Sequence, residues 1–189
     1  MPTLNGIDAD ALHALADDVA GNPELAALEF SVRNRWDGGT RSTARIATFR
    51  RGHREHARDF EIAADTSEEL LGSNAAPNPQ ELLLAALNAS MIVGFAVHAT
   101  RAGIVIDGLE IATSGQLDLR RYLGLDPWIS PGYGSVVQRV EVRSEASPEK
   151  LQAVLDSVIA TSPVLGSLGR GLNVQTELVV LPAADQTRQ

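Results

Sequence analysis

The sequence contains no cysteine among its 189 residues. Disulfides, thiolate metal sites and every mechanism that passes through a thiol are therefore excluded, and cysteine usage says nothing about the redox compartment. Histidine offers no replacement as a metal ligand. His53 and His56 stand three residues apart in a segment with strand character, so their side chains would point to opposite faces. We expect neither a metal nor a cofactor.

Positive charge is also scarce, since the chain has a net charge of −8 and a single lysine, Lys150. Its arginines are scattered, and the densest group, in residues 33–58, alternates with Thr, Ala, Ile and Phe as in strands with one solvent-exposed face. Interfaces with nucleic acid or anionic membranes depend on clustered positive charge. The composition therefore argues against both of these partners.

An uninterrupted hydrophobic run of transmembrane length is absent as well. The longest apolar stretch, residues 82–99, is interrupted by Asn88, Ser90 and His98, and no second apolar span follows it. The first residues carry aspartate where a secretory signal needs positive charge. We expect a buried core helix at 82–99 and a cytoplasmic protein.

The length of the chain and its 44% hydrophobic content predict one main domain with its own core. Asp8 can cap a short amphipathic helix that ends near Ala20, so residues 1–25 are interpreted as an N-terminal helical extension. Residues 26–182 are expected to form the domain, and residues 183–189 a C-terminal tail.

Within the domain, the spacing of apolar residues and turn formers predicts strands followed by alternating helices and strands. The predicted elements are three antiparallel strands within 27–63, a helix at 79–101, strands at 105–119 and 135–145, a helix from Ser147 to Leu168, and a strand at 173–181. This order predicts an α+β fold. The helix at 79–101 is apolar on all sides, so a single small sheet cannot cover it.

Ser90 is a small polar residue in the middle of this apolar helix, and its role needs an explanation. His98 lies about 12 Å further along the same side, too far for a nucleophile–base hydrogen bond. Glu81 suits the positive end of the helix dipole, but its carboxyl could act as an acid or base if it turned inward. A hydrolase or acid–base enzyme that uses Ser90 or Glu81 therefore stays open.

Three segments resemble the OsmC/Ohr family of organic hydroperoxide reductases in order and spacing. They are LLGSNAAPNPQELLLAALNAS (70–90), GLEIATSGQLDLRRYLGL (108–125) and ATSPVLGSLGRGLNV (160–174). The resemblance implies a fold in which two antiparallel sheets wrap round long central helices in an intertwined homodimer. The second subunit would then cover the apolar helix.

The resemblance also implies where the reactive residues of the family would lie. Its peroxide-attacking cysteine corresponds to Ser90, its resolving cysteine to Ser162, and its glutamate to Gln80, with Glu81 one residue later. A serine neither ionises like a thiol near neutral pH nor passes through sulfenic acid and disulfide states. We therefore expect that thiol peroxidase activity is lost.

The first functional hypothesis is a non-peroxidase binding or structural homodimer. Its apolar pocket, near Ser90 and Ser162 with Gln80 and Glu81 at the start of the helix, would hold a small hydrophobic ligand. The alternatives are an enzyme of another class that uses Ser90 or Glu81, and a residual role in the oxidative stress response.

Overall fold

The structure, a computed structural model, describes residues 3–179. Its helices and antiparallel sheets confirm the predicted α+β class. In chain order the elements are β1 (Thr3–Leu4), β2 (Ile7–Asp8), α1 (Ala9–Gly21), β3 (Leu28–Phe30), β4 (Arg33–Trp36), β5 (Ser42–Arg51), β6 (Arg54–Ala64), α2 (Pro79–Arg101), β7 (Gly108–Gly115), α3 (Leu119–Tyr122), β8 (Val136–Arg143), α4 (Pro148–Thr161) and α5 (Pro163–Arg170).

The first sheet has four strands, with β5 in the middle. β6 pairs along one edge of β5, while β3 and β4 pair in turn along the other edge, all antiparallel. Three strands were predicted here, and this is corrected to four because the first one is interrupted. β3 last pairs as Phe30 with Phe49, and β4 first pairs as Arg33 with Arg45. The two strands advance by different numbers of residues between these pairs, so one regular ladder cannot continue.

The second sheet is the antiparallel pair β7 and β8, and it packs against one face of α2 beside α4. The buried core consists of Leu87, Met91, Phe95, Ala99, Ile104, Val154 and Val158, with partly buried Leu109, Ile111, Val140 and Val142 of the sheet packed against it. The first four of these residues recur at every fourth position and form one stripe of α2. None of the core residues belongs to the four-stranded sheet.

Local sequence signals fix both ends of α2, and the predicted helix over 79–101 is confirmed. Pro79 occupies the first helical position, where a missing N–H costs nothing. Asn78 is the N-cap, and the Glu81 carboxylate accepts from the Asn78 N–H at 2.8 Å to complete a capping box. Past the other end, Gly103 has φ of 68°, a left-handed conformation that glycine adopts without strain.

The protomer covers α2 on one side only. The face opposite the core stripe carries Leu82, Ala86, Ala89, Val93 and Ala96. Val93 is 64% exposed. That a second subunit covers this face of α2 stays a prediction.

By length and composition α2 could cross a membrane, as could the bent pair of α4 and α5, but core helices of soluble proteins have the same properties.

The predicted helix from Ser147 to Leu168 is two helices. α4 ends at Thr161, Ser162 takes an extended conformation with ψ of 119°, and α5 begins at Pro163 at 58° to α4. Proline has no N–H for the helical ladder and disfavours the helical conformation in the residue before it. The break therefore follows directly from the Ser-Pro pair.

The predicted strand over 173–181 is not found in the part of the chain that the structure describes. Residues 171–179 lie outside any helix or strand, while 180–181 and the expected tail at 183–189 fall beyond the described residues. Val174 and Leu178 are exposed. An alternating segment becomes a strand only where a sheet edge pairs with it, and the described segment has no such partner.

The N-terminal segment begins with a hairpin that the sequence interpretation missed. Asn5 and Gly6 form the turn between β1 and β2 with φ of 53° and 77°, as Asn-Gly does in tight hairpins. The Asn5 side chain donates to the carbonyl of Ile104 at 2.9 Å and accepts from the N–H of Ile106 at 2.8 Å. These bonds hold the hairpin against the end of α2. α1 follows, capped by Asp8 as predicted.

Candidate functional site

The two serines singled out in the sequence, Ser90 and Ser162, meet in the structure. Ser90 lies in the middle of α2 and Ser162 at the junction of α4 and α5, yet their Oγ atoms are 3.0 Å apart. Ser162 is 7% exposed and Ser90 is half-buried. The site therefore contains a hydrogen-bonded pair of hydroxyls.

The backbone holds Ser162 from both sides. Its N–H donates to the carbonyl of Val158 at 2.8 Å, the last hydrogen bond of α4. Its Oγ accepts from the N–H of Leu165 at 3.3 Å, as the N-cap of α5. A capping hydroxyl is confined to the rotamer that reaches the first turn of the helix. Ser162 therefore presents its Oγ to Ser90 from a fixed position.

A glycine one turn after Ser90 allows α2 and α4 to approach closely. A Cβ atom at Gly94 would lie 2.9 Å from Cγ1 of Val158, which is closer than side chains pack. Val158 is fully buried, and it precedes Ser162 by one helical turn. The glycine thus sets the helix separation at which the two hydroxyls reach each other.

Within residues 3–179, neither hydroxyl has a histidine, carboxylate or amine as a hydrogen-bond partner. His98, the one histidine of α2, places its Nε2 2.8 Å from Oγ1 of Thr161. The Thr161 hydroxyl donates to the carbonyl of Ser157 at 2.7 Å, so its oxygen accepts from Nε2–H and the imidazole is held away from Ser90. A serine without a general base is a weak nucleophile.

Gln80 and Glu81 are exposed residues of the first turn of α2. Glu81 is occupied as a capping residue, and the Gln80 N–H donates to the side chain of Asn78 at 2.9 Å. Nine residues of helix, about 13 Å, separate Glu81 from Ser90. Within one protomer the structure therefore brings the two serines together but leaves Gln80 and Glu81 apart from them.

Asn88, a further polar residue of α2, was not among the predicted site residues. Its Nδ2 donates to the carbonyl of Ile111 at 3.1 Å, and its Oδ1 accepts from Oγ1 of Thr113 and from Nε2 of Gln138. These bonds tie α2 to both strands of the second sheet and fix the rotation of the helix. A lone amide in an apolar helix was the signal that could have revealed this role.

The loop before α2 is held by one buried carboxylate, that of Asp65. It accepts hydrogen bonds from the hydroxyls of Thr40 and Ser73 at 2.6 and 2.7 Å and from the N–H of Ala75 at 3.0 Å. These donors, the Thr40 hydroxyl first, hold the pKa of Asp65 well below its usual range. The loop over 65–78 is thereby fastened to the turn before β5. Sequence reasoning missed this because Thr40 is distant along the chain.

Within the described residues, no three His, Asp or Glu side chains cluster closely enough to hold a metal ion. Two surface grooves lie away from the serine pair. One is lined by Arg33, Arg45 and their neighbours on the first sheet, and the other lies beside Asp107 and Lys150. Neither groove is lined by Ser90 or Ser162, so neither corresponds to the predicted apolar pocket, which stays a prediction.

Comparison with known proteins points to one family. The family model described as OsmC-like protein matches residues 72–177, a range that includes both serines of the pair. No curated protein matches the sequence significantly.

Solved structures similar to this chain carry the same family description. An OsmC-like protein from Mycoplasma pneumoniae is 17% identical, with a TM-score of 0.57 over 75% of this chain and 87% of the other. An OsmC-like protein of unknown function from Vibrio cholerae is 15% identical, with a TM-score of 0.56 over 74% and 92%. An organic hydroperoxide resistance protein OsmC from Legionella pneumophila is 14% identical, with a TM-score of 0.51 over 74% and 89%. At these identities the similarity establishes the fold.

Proposed function

We propose a function for this chain from the premise that it belongs to the OsmC-like protein family. In this proposal the protein is a homodimer without peroxidase activity that acts in the cytoplasm. It binds a small apolar molecule beside Ser90 and Ser162. The chain has the α+β fold of the family but contains no cysteine.

The hydrogen-bonded serine pair carries this proposal. The two hydroxyls lie 3.0 Å apart at the positions that the resemblance assigns to the cysteines of the family. A thiolate near neutral pH attacks a peroxide, whereas a hydroxyl needs a strong base to become a nucleophile. The described partners of Ser90 and Ser162 include no such base. This arrangement supports a site in which two side chains face each other as the cysteines of the family would, but without the redox chemistry of cysteine.

Exposed apolar surface supports the homodimer. Val93 of α2 is exposed on the face opposite the core, and Trp36, Phe30 and Phe60 of the first sheet are more than half exposed in the protomer. Large exposed apolar patches mark interaction sites. In the proposed dimer, the second copy covers this face of α2 and supplies the missing wall beside Ser90.

Light scattering tests the assembly. We expect the mass of a dimer at micromolar concentration, because a helix that is apolar on all sides is normally buried, and a second copy would remove the exposed apolar face of α2 from water. Val93→Asp should give a monomer, while Leu71→Asp, at a loop residue that is 89% exposed, should remain dimeric. A monomeric native protein would contradict the proposed assembly.

A peroxidase assay tests the chemistry. Purified protein with an organic hydroperoxide and a dithiol reductant should show no turnover, because neither hydroxyl of the pair can cycle through oxidised sulfur states. Met91 is 2% exposed, so direct oxidation of its thioether should also be slow. Catalytic consumption of hydroperoxide by the unmodified protein would overturn this proposal.

The alternative functions receive less support. An enzyme that uses Ser90 with Glu81 or His98 needs one of these groups near Ser90. In the protomer the Glu81 carboxylate is bonded to Asn78 and the His98 ring to Thr161. A role in the oxidative stress response would, in our proposal, depend on binding rather than on reduction.

A further inference from the structure

The two hydroxyls of the serine pair carry two hydrogens, and only one of these hydrogens has an acceptor among the described residues. Each hydroxyl carries one hydrogen, and the bond between the Oγ atoms of Ser90 and Ser162 uses one of the two, whichever residue donates. The N–H of Leu165 is itself a donor to Ser162, so it occupies a lone pair and accepts nothing. Within residues 3–179, no other group accepts from either hydroxyl. One O–H therefore remains free.

Other hydroxyls in the helices use their hydrogen differently. Ser157, Thr161 and Ser167 each donate to the carbonyl four residues earlier, at 2.7–2.8 Å. Ser90 lies in the same kind of helix, yet its hydroxyl is bonded to Ser162 and makes no such bond to Ala86. The remaining O–H of the pair is thus available to a group from outside the protomer.

The stretch of α2 around Ser90 is apolar and carries no formal charge. α2 has no Asp, Glu, Lys or Arg between Glu81 and Arg101. Leu83 lies two turns before Ser90 on the same side of α2, and its side chain is 40% exposed. An anion bound here would lose its hydration without gaining an opposite charge, whereas a neutral oxygen has a much smaller desolvation cost.

We propose that the serine pair is a single hydrogen-bond donor for a neutral, apolar ligand with one acceptor oxygen, such as a ketone, ester or ether. This inference rests on the proposed function, because the second copy closes the site around the ligand. The acceptor oxygen takes the free O–H of the pair, and the apolar body of the ligand lies along the uncharged stretch of α2 toward Leu83. No covalent step is involved.

Three probes of similar shape test the ligand class: acetophenone has a carbonyl acceptor, ethylbenzene has none, and benzoate is an anion. In ligand-detected NMR titrations of the dimer, we expect acetophenone to bind roughly 2- to 10-fold more tightly than ethylbenzene, as for one hydrogen bond. Benzoate should bind most weakly. Ser90→Ala/Ser162→Ala should lose the preference for acetophenone and keep the affinity for ethylbenzene. Ser167→Ala, whose native hydroxyl is bonded to the Pro163 carbonyl, should keep the preference.

The outcomes separate this inference from the proposed function. Equal binding of acetophenone and ethylbenzene, or tightest binding of benzoate, would overturn the ligand class while leaving an apolar binding site. Absence of binding for all three probes would overturn both. If circular dichroism shows that the double variant is unfolded, Ser162→Ala replaces it. That variant frees the Ser90 hydroxyl to donate to the Ala86 carbonyl, as Ser157 donates to Ala153, so a preference undiminished from the native protein would count against the inference.

Discussion

The two sheets of the molecule differ in what they pack against. The β7–β8 sheet places Leu109, Ile111, Val140 and Val142 against the core stripe of α2. The four-stranded sheet contributes nothing to that core, and Trp36 at its edge is 73% exposed. One half of the chain thus completes its own core. In the other half, Phe30, Trp36 and Phe60 of the four-stranded sheet are more than half exposed. In the proposed dimer, the second copy would cover the exposed side chains of the first sheet and the outer face of α2.

The largest effect is expected inside the completed half. Phe95 is 1% exposed in the core stripe, so Phe95→Ala should lower the free energy of unfolding by about 3–5 kcal/mol. Denaturant unfolding at fixed protein concentration measures this loss, since a dimer contributes a concentration-dependent term.

Val93→Ala is the matched change on the other face of the same helix. If nothing covers that face, the loss should stay below about 0.5 kcal/mol, as at an ordinary surface position. A loss of about 1–3 kcal/mol, which falls with dilution, would show that a second copy buries Val93. The two variants together therefore decide whether the contrast between the faces persists in solution.

A disulfide across the serine pair should have the next largest effect. Ser90→Cys/Ser162→Cys joins side chains whose Oγ atoms are 3.0 Å apart, so oxidation should form the bond and stabilise the protein by about 2–4 kcal/mol. Hydroperoxide turnover should nevertheless stay poor, because no cation among residues 3–179 is bonded to either position to favour the thiolate.

Mass and thiol titration under non-reducing conditions detect the bond. Ser90→Cys/Ser157→Cys is the control, since the Ser157 hydroxyl is directed at the Ala153 carbonyl and should not pair. Efficient peroxide turnover by the first variant would mean that a cation from the second copy or the first sheet reaches the site.

Elements with local signals were predictable from the sequence, and contacts between distant residues were not. Both ends of α2 follow from Pro79 and Gly103, and the same kind of signal predicted the Asp8 cap of α1. The Ser162–Pro163 break was equally local, but the apolar periodicity across it masked the proline.

The meeting of the two serines was inferred only through a family resemblance. Spacing along the chain cannot give it, because it depends on how closely α2 and α4 pack at Gly94. The anchoring of Asp65 by Thr40 and the tie from Asn88 to Gln138 are likewise set by tertiary packing.

A moderate loss is expected where α2 meets α4. Gly94→Ala adds a methyl group 2.9 Å from Val158 Cγ1, which should cost about 1–3 kcal/mol despite the better helix propensity of alanine. Adding Val158→Ala should recover part of that loss, because the second change makes room for the first. If Gly94→Ala instead stabilises the protein in thermal unfolding, then the helices are not in close contact and the position of Ser90 relative to Ser162 needs another cause.

The smallest effect is expected at Asp65, whose carboxylate links the loop before α2 to the turn before β5 of the four-stranded sheet. Its pKa is lowered in the folded protein, so the ionised carboxylate stabilises the fold at pH values above the unfolded pKa of about 4, and this contribution is lost as the pH falls toward the folded pKa. Asp65→Asn should therefore lower the urea midpoint at pH 6, and its difference from the native protein should shrink progressively below about pH 4. Asp17→Asn, at an exposed position of α1, should follow the native curve throughout. A difference between native protein and Asp65→Asn that stays constant down to about pH 2 would show that the hydrogen bonds of the loop, rather than the charge of Asp65, hold the four-stranded sheet to the start of α2.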